Sequence, residues 1–200
     1  MSPSFFLLLL GFVYIVLFGA LALLRREGLS LRFALESLVI TLSLSAVPAF
    51  TGIELHPVLF LIILYLITMR SRLLVDLGNL FARRGQYSQA TSIYNLALNL
   101  WPDASTRLIV QVNKGAALIQ QNNLDEAIVL LSQVLQSVDQ GRLGIKHEAA
   151  CHYNLGVAYR AKKMTPQAMK EFRAVLDVWP VSEYGRRAQL ALEREHQETK

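Results

Sequence analysis

His147, Cys151 and His152 are the tightest gathering of metal- or nucleophile-type side chains in the sequence. On a helix, i,i+4 spacing sets His147 and Cys151 on one face. A metal ion would need further ligands there, and the sequence offers no way to complete the set. Cys151 is the only cysteine, which excludes an internal disulfide and a cysteine-rich zinc site. A lone thiol on an apolar helical face is packing material by default. Asp125 and Glu126 adjoin at a helix start, where carboxylates favour the dipole rather than form a general acid/base pair. Gly78, Gly115 and Gly156 lie too far apart for a phosphate-cradling loop. The sequence contains no His/Ser/Asp set, so no catalytic residue, metal or cofactor is expected, and the chain reads as a non-enzyme.

Those three glycines belong to a different pattern. Residues 77–102 recur 78 positions downstream without insertion or deletion: Leu77, Gly78, Phe81, Ala90, Tyr94, Trp101 and Pro102 return as Leu155, Gly156, Tyr159, Ala168, Phe172, Trp179 and Pro180. A fainter copy, Gly115, Leu118, Ala127 and Leu131, lies between them. The hydrophobic spacing is helical throughout, with no strand alternation of useful length. The pattern predicts three helix–turn–helix units of 34 residues, at 71–104, 108–141 and 149–182. The glycine at the eighth position should let the paired helices approach. The bulky eleventh residue and Ala at the twentieth should interlock across the hairpin, and the twenty-fourth (Tyr94, Leu131, Phe172) should pack onto the next unit. Pro102 and Pro180 should stop the second helices; Asp139 with Gly141 takes that place in the middle unit. Thr165 as cap and Pro166 should start the last second helix. The extra residues between units, three and then seven, approximate whole helical turns, with Gly141 and Gly144 marking part of the second as loop. Residues 183–200 read as a capping helix with Tyr184, Ala188, Ala191 and Leu192 inward.

Ahead of the repeats, residues 1–70 form an apolar anchor. Up to Arg72 there are five Arg and no Lys against Glu27, Glu36 and Glu54, and the remainder is likewise only mildly basic. No basic run interleaved with aromatics supports nucleic-acid binding. Residues 5–24 are uncharged and long enough to cross a bilayer. They lack the preceding positive charge of a secretory signal, so they read as an uncleaved anchor. Shorter apolar stretches follow at 37–53 and 57–69. Three spans place Arg25, Arg26, Arg32, Arg70 and Arg72 on one side and Glu54 on the other, which the positive-inside rule favours. The N-terminus is then outside and the repeats are cytoplasmic; one span plus a surface-lying hairpin keeps the same sidedness. Ser37, Thr41 and Ser45 form a small-residue stripe suited to close helix packing, inside this chain or on another protein.

The repeat motif resembles the tetratricopeptide repeat (TPR) superfamily over residues 71–182, most closely in the first and third units. That resemblance implies an all-α, right-handed superhelix whose concave face binds peptides or protein segments, lined by the first helix of each pair. The candidate groove residues are then Val75, Asn79, Arg83, Ile109, Val112, Asn113, Ile119, Tyr153, Asn154, Val157 and Arg160. Val112, Ile119 and Tyr153 would supply apolar contact, Arg83 and Arg160 polarity at the ends, and Asn79, Asn113 and Asn154 amides for a peptide backbone. One subset of the family grips a C-terminal carboxylate with a Lys/Asn/Asn/Lys/Arg clamp. Here only Asn79 and Asn113 match it; Val75, Ala150 and Asn154 stand at its cationic positions, which argues against a clamp.

In layout the chain is similar to the membrane-anchored TPR factors that assist photosystem I accumulation in cyanobacteria and algal plastids. The likeness implies a thylakoid membrane protein with its repeats on the cytoplasmic or stromal side. Its expected partners are the membrane and a photosystem I subunit or assembly intermediate, with no nucleic acid. A TPR scaffold of another bacterial membrane system, in envelope biogenesis or secretion, fits the same layout.

Overall fold

A computed structural model of the chain describes residues 2–24, 30–137 and 143–198, and these residues are helical with no strand among them. Arg25 and Arg26, on which the expected sidedness partly rests, lie outside the described residues, as do Asp139 and Gly141.

The first two helices, α1 (Pro3–Leu24) and α2 (Leu31–Thr51), are 22 and 21 residues long and apolar enough to cross a membrane. α2 begins well before the expected residue 37. The Ser30 hydroxyl accepts a hydrogen bond from the Phe33 N–H at 3.1 Å, and Arg32 pairs with Glu36 one turn on, at 2.8 Å. A cap and an i,i+4 ion pair thus carry helix through residues whose charge looked like a loop. The third stretch is helical where expected, and it is short. α3 (Pro57–Thr68) has 12 residues, about 18 Å of helix against a hydrocarbon core of about 30 Å. It meets α4 (Arg70–Arg83) at a bend of 73° and completes a third crossing only if the two count as one broken span. Pro57 at the helix start, with His56 Nδ1 accepting from the Val58 N–H, explains why α3 begins no earlier.

Leu7, Tyr14, Phe60 and Leu64 form the core of this bundle. Ser37, Thr41 and Ser45 are buried within it. A methyl group placed on Gly11 would strike the Thr41 side chain, so the small stripe lets α1 and α2 close on each other. That settles its use in favour of packing inside the chain. Thr68 donates to the Leu64 carbonyl at 2.7 Å, which leaves its oxygen to accept from the Tyr14 hydroxyl, also at 2.7 Å. Tyr14 lies halfway along α1, so the last third of α1 overhangs the end of α3.

Three antiparallel pairs follow. They are α4 with α5 (Tyr87–Asn99), α6 (Ala104–Gln120) with α7 (Leu124–Gln136), and α8 (Ile145–Ala161) with α9 (Thr165–Val178); α10 (Glu183–Glu198) closes the stack. The turn inside each pair is the same structure built from three sequences. Its fifteenth residue is left-handed each time: Gly85 at φ 75°, Asn122 at 63° and Lys163 at 58°. The following N–H reaches back to the first helix, from Gln86 to Phe81, Asn123 to Leu118 and Met164 to Tyr159. This is the helix-ending motif that glycine favours and Asn tolerates; Lys163 holds it against its own preference.

Two local details are added or changed. The twenty-fourth residue sits over the glycine of its own unit, a contact the repeat pattern did not assign it: a Cβ on Gly115 would lie 2.6 Å from Leu131 Cδ2, and one on Gly156 2.6 Å from Phe172 Cε1. The cap position of α9 is Met164 without a side-chain cap bond, and Thr165 is already helical. The insertions lengthen the fronts of the first helices. α6 and α8 have 17 residues against 14 in α4, close to one added turn, so each keeps its facing.

Arg70 joins the two parts. Its guanidinium holds Glu36 of α2 with two bonds of 2.8 and 3.2 Å, and donates to the Ile67 and Leu100 carbonyls. One side chain thus ties α2, the end of α3 and the end of α5, and its planar fork is what allows several partners at fixed angles.

Candidate partner-binding groove

The inner face of the stack is built by α4, α6 and α8, and the packing divides its eleven candidate residues. Val75, Ile109 and Val112 lie in the hydrophobic core, with Val112 only 2% exposed. They hold the first helices against one another and offer no surface to a partner. Val75 and Val112, both at the fifth position of their units, lie with Ile109 in one apolar cluster, where each side chain is removed from water.

The remaining eight are at least partly exposed, and several already have structural duties. Asn79 accepts the Tyr94 hydroxyl through Oδ1 at 2.7 Å. Burial pushes the Tyr94 phenol up to about 12, so it stays a donor and fixes the amide orientation. Asn113 donates its Nδ2 to the Ile109 carbonyl at 2.8 Å, which leaves its oxygen outward. Tyr153 stands between Phe172 and Tyr184, with ring centroids 5.9 and 5.7 Å away. The Arg160 guanidinium lies 5.8 Å over the Phe172 ring, a cation–π contact that limits its reach. Asn154, Ile119 and Val157 are half-buried, and Arg83 is exposed at the end of α4. The surface left to a partner is therefore amide-rich in the middle, with Ile119 and Val157 as apolar footing and Arg83 at one end.

The residues singled out for chemistry are structural here. Cys151 is fully buried and its thiol reaches the Leu131 carbonyl of the preceding unit at 3.4 Å. Burial pushes that thiol well above its usual range, so it is neither a nucleophile nor a ready metal ligand. His152 is engaged by Glu171 at 2.7 Å. Among the described residues no group of three His, Cys, Asp or Glu is arranged to hold a metal ion. Sequence reasoning overlooked Gln121, whose amide reaches the Tyr87 carbonyl and the Thr91 hydroxyl and so locks the second hairpin onto α5. A polar residue just past a helix end gives no periodic signal of such a role.

Antiparallel helix pairs stacked through a glycine under a large side chain define a helical-repeat module. Residues 106–180 match the family model of the tetratricopeptide repeat. Over 101 residues the chain is 29% identical to the "Protein STIP1 homolog" of Dictyostelium discoideum, a match that covers 50% of this chain and 17% of that protein. The chain thus spans less than a fifth of the curated relative's length. Among solved structures it resembles the TPR domain of P58(IPK), with a TM-score of 0.58 at 16% identity, over 82% of this chain and 43% of that one. That likeness concerns the fold alone. Over residues 106–180 the stack is thus similar in sequence to the tetratricopeptide repeat.

Proposed function

We propose that the chain is a membrane-anchored, non-catalytic protein-interaction scaffold, and that its client is a subunit or assembly intermediate of photosystem I at a thylakoid membrane. The observation that carries the scaffold reading is the Arg70 junction, which fastens the repeats to the two long apolar helices through Glu36 and Leu100. A groove held at a fixed height above a bilayer meets partners in that membrane at raised effective concentration. Modest affinity then suffices, and a weak hold suits a factor that must release its client. The photosystem assignment rests on the overall layout described above. Deleting the gene in its source organism should lower photosystem I levels, most visibly under high light. Normal levels under both ordinary and high light would favour a scaffold of another membrane complex. Arg83→Glu with Asn154→Ala should leave the fold intact and abolish client co-purification; full recovery of the client would sink the groove as its binding site.

The bundle supports the proposed sidedness. Arg32, Glu36 and Arg70 share one end of it through their ion pairs, and Arg72 follows immediately. The positive-inside bias makes this the cytoplasmic or stromal end. In sealed right-side-out vesicles, protease should leave residues 71–200 intact. Their digestion from outside would overturn this orientation.

A further inference from the structure

α3 ends at Thr68, level with the middle of α1, and α4 leaves at a 73° bend. One corner of the bundle is therefore missing beside the last turns of α1 and the first turns of α2. The gap is a cavity of about 770 Å³, roofed by the corner between α5 and α6. Its α1 wall is apolar and small in the centre, with Phe18, Gly19, Ala20 and Leu21. Its other wall carries Arg32, Glu36, Arg70, Arg72, Asp76 and Asp103. We infer that this cavity binds one membrane lipid with a net-uncharged head group, its chain along α1 and its head against the charged wall. The inference rests on the membrane-anchored reading above.

Three observations commit the site to that occupant. The apolar wall is continuous with Val16, Leu21 and Leu23, which face outward on α1. In a bilayer those residues are bathed in acyl chains, so hydrocarbon reaches the cavity without crossing water. The charged wall is balanced, with three guanidiniums and three carboxylates among the described lining residues. Most of it is already engaged: Arg32 and Arg70 hold Glu36, and Arg72 and Asp103 both bond Thr106. A phosphate-only head would have to compete with Glu36 for Arg32 and Arg70. A head with no net charge, either zwitterionic or polyhydroxylated, meets this balanced wall as it stands.

The third observation is Trp101 at the rim. It is 73% exposed and left-handed at φ 50°, a conformation that bulky side chains rarely adopt. The equivalent Trp179 of the last unit is 36% exposed with an extended φ of −154°. The indole that lines the cavity is the more exposed of the two, and Trp is a residue enriched at membrane interfaces.

The test uses the full-length protein, reconstituted in nanodiscs that mix phosphatidylcholine, a monoglycosyl diacylglycerol and phosphatidylglycerol, then released and examined by native mass spectrometry. One retained lipid per chain is expected, phosphatidylcholine or the glycolipid enriched at least several-fold over phosphatidylglycerol. Which of the two dominates identifies the head as zwitterionic or hydroxylated. Ala20→Trp fills the cavity and should remove the retained lipid. Asp76→Arg, at an exposed position, should shift retention toward phosphatidylglycerol. A wild type that enters nanodiscs but retains no lipid, retains phosphatidylglycerol, or behaves like Ala20→Trp would overturn the proposal. So would a client segment occupying the cavity in its place. Failure to enter nanodiscs at all would instead sink the membrane-anchored reading beneath it.

Discussion

Gly115→Leu and Gly156→Leu should each lower the melting temperature of a fragment spanning residues 70–200, with the middle-unit change the more damaging. A first methyl on either glycine would meet the large side chain of the partner helix at 2.6 Å, well inside van der Waals contact. Leu adds three further carbons in the same direction. The obstructing side chains are Leu131 and Phe172, both fully buried, so neither can swing aside into solvent. The helices must separate or the rotamers must strain, at about 1–3 kcal/mol or more. For a domain of this size that is roughly 3–15 °C in Tm. The middle unit touches a neighbour on each side and the last touches one unit and a cap. In a one-dimensional stack, damage at the centre separates one unit from another, whereas damage at the end frees only the cap. Circular dichroism melts decide the matter, and unchanged melting for both variants would mean that the glycines do not mark the helix–helix seams.

The repeat was legible because its strongest constraint is also its most visible letter. Glycine opposite a large side chain needs both partners, so Gly78 with Tyr94 and Gly156 with Phe172 recur together at fixed spacing. Which neighbour the large residue faces was not legible, because spacing along one helix does not say which helix lies across from it. The shared left-handed turn at Gly85, Asn122 and Lys163 was hidden for a related reason. Three chemically unlike residues hold one backbone conformation there, and the bond that closes the turn runs between main-chain atoms. The bundle was misjudged where local charge and tertiary pairing disagree. Arg32 and Glu36 look like loop in a hydropathy profile, yet their pairing, extended by Arg70 from 34 residues away, makes them helix. The junction cavity left no trace in the sequence because it arises from a mismatch in helix lengths.

Val112→Asp should unfold the repeats, which separates the core of this module from its binding face. Read from repeat position alone, Val112 is a groove residue; its 2% exposure places it in the seam between first helices. Its core cluster includes Val75, Ile109, Val110 and Leu155. A carboxylate introduced there must be either charged and unpaired or protonated, and the buried valine is lost as well. An uncompensated buried charge costs about 3–5 kcal/mol, and the lost apolar burial about 1.5–3 kcal/mol more. Those sums rival the whole stability of an ordinary domain of about 5–15 kcal/mol. The far-UV helical signal of the 70–200 fragment should therefore collapse or melt near ambient temperature. Loss of client binding by such a variant would report unfolding, not recognition. Asn113→Ala and Asn154→Ala, on half-buried amides along the same face, should keep the melting temperature within a few degrees and weaken client capture. A fully folded Val112→Asp fragment with wild-type melting would show that α6 turns this face to solvent, and would return Val112 to the groove.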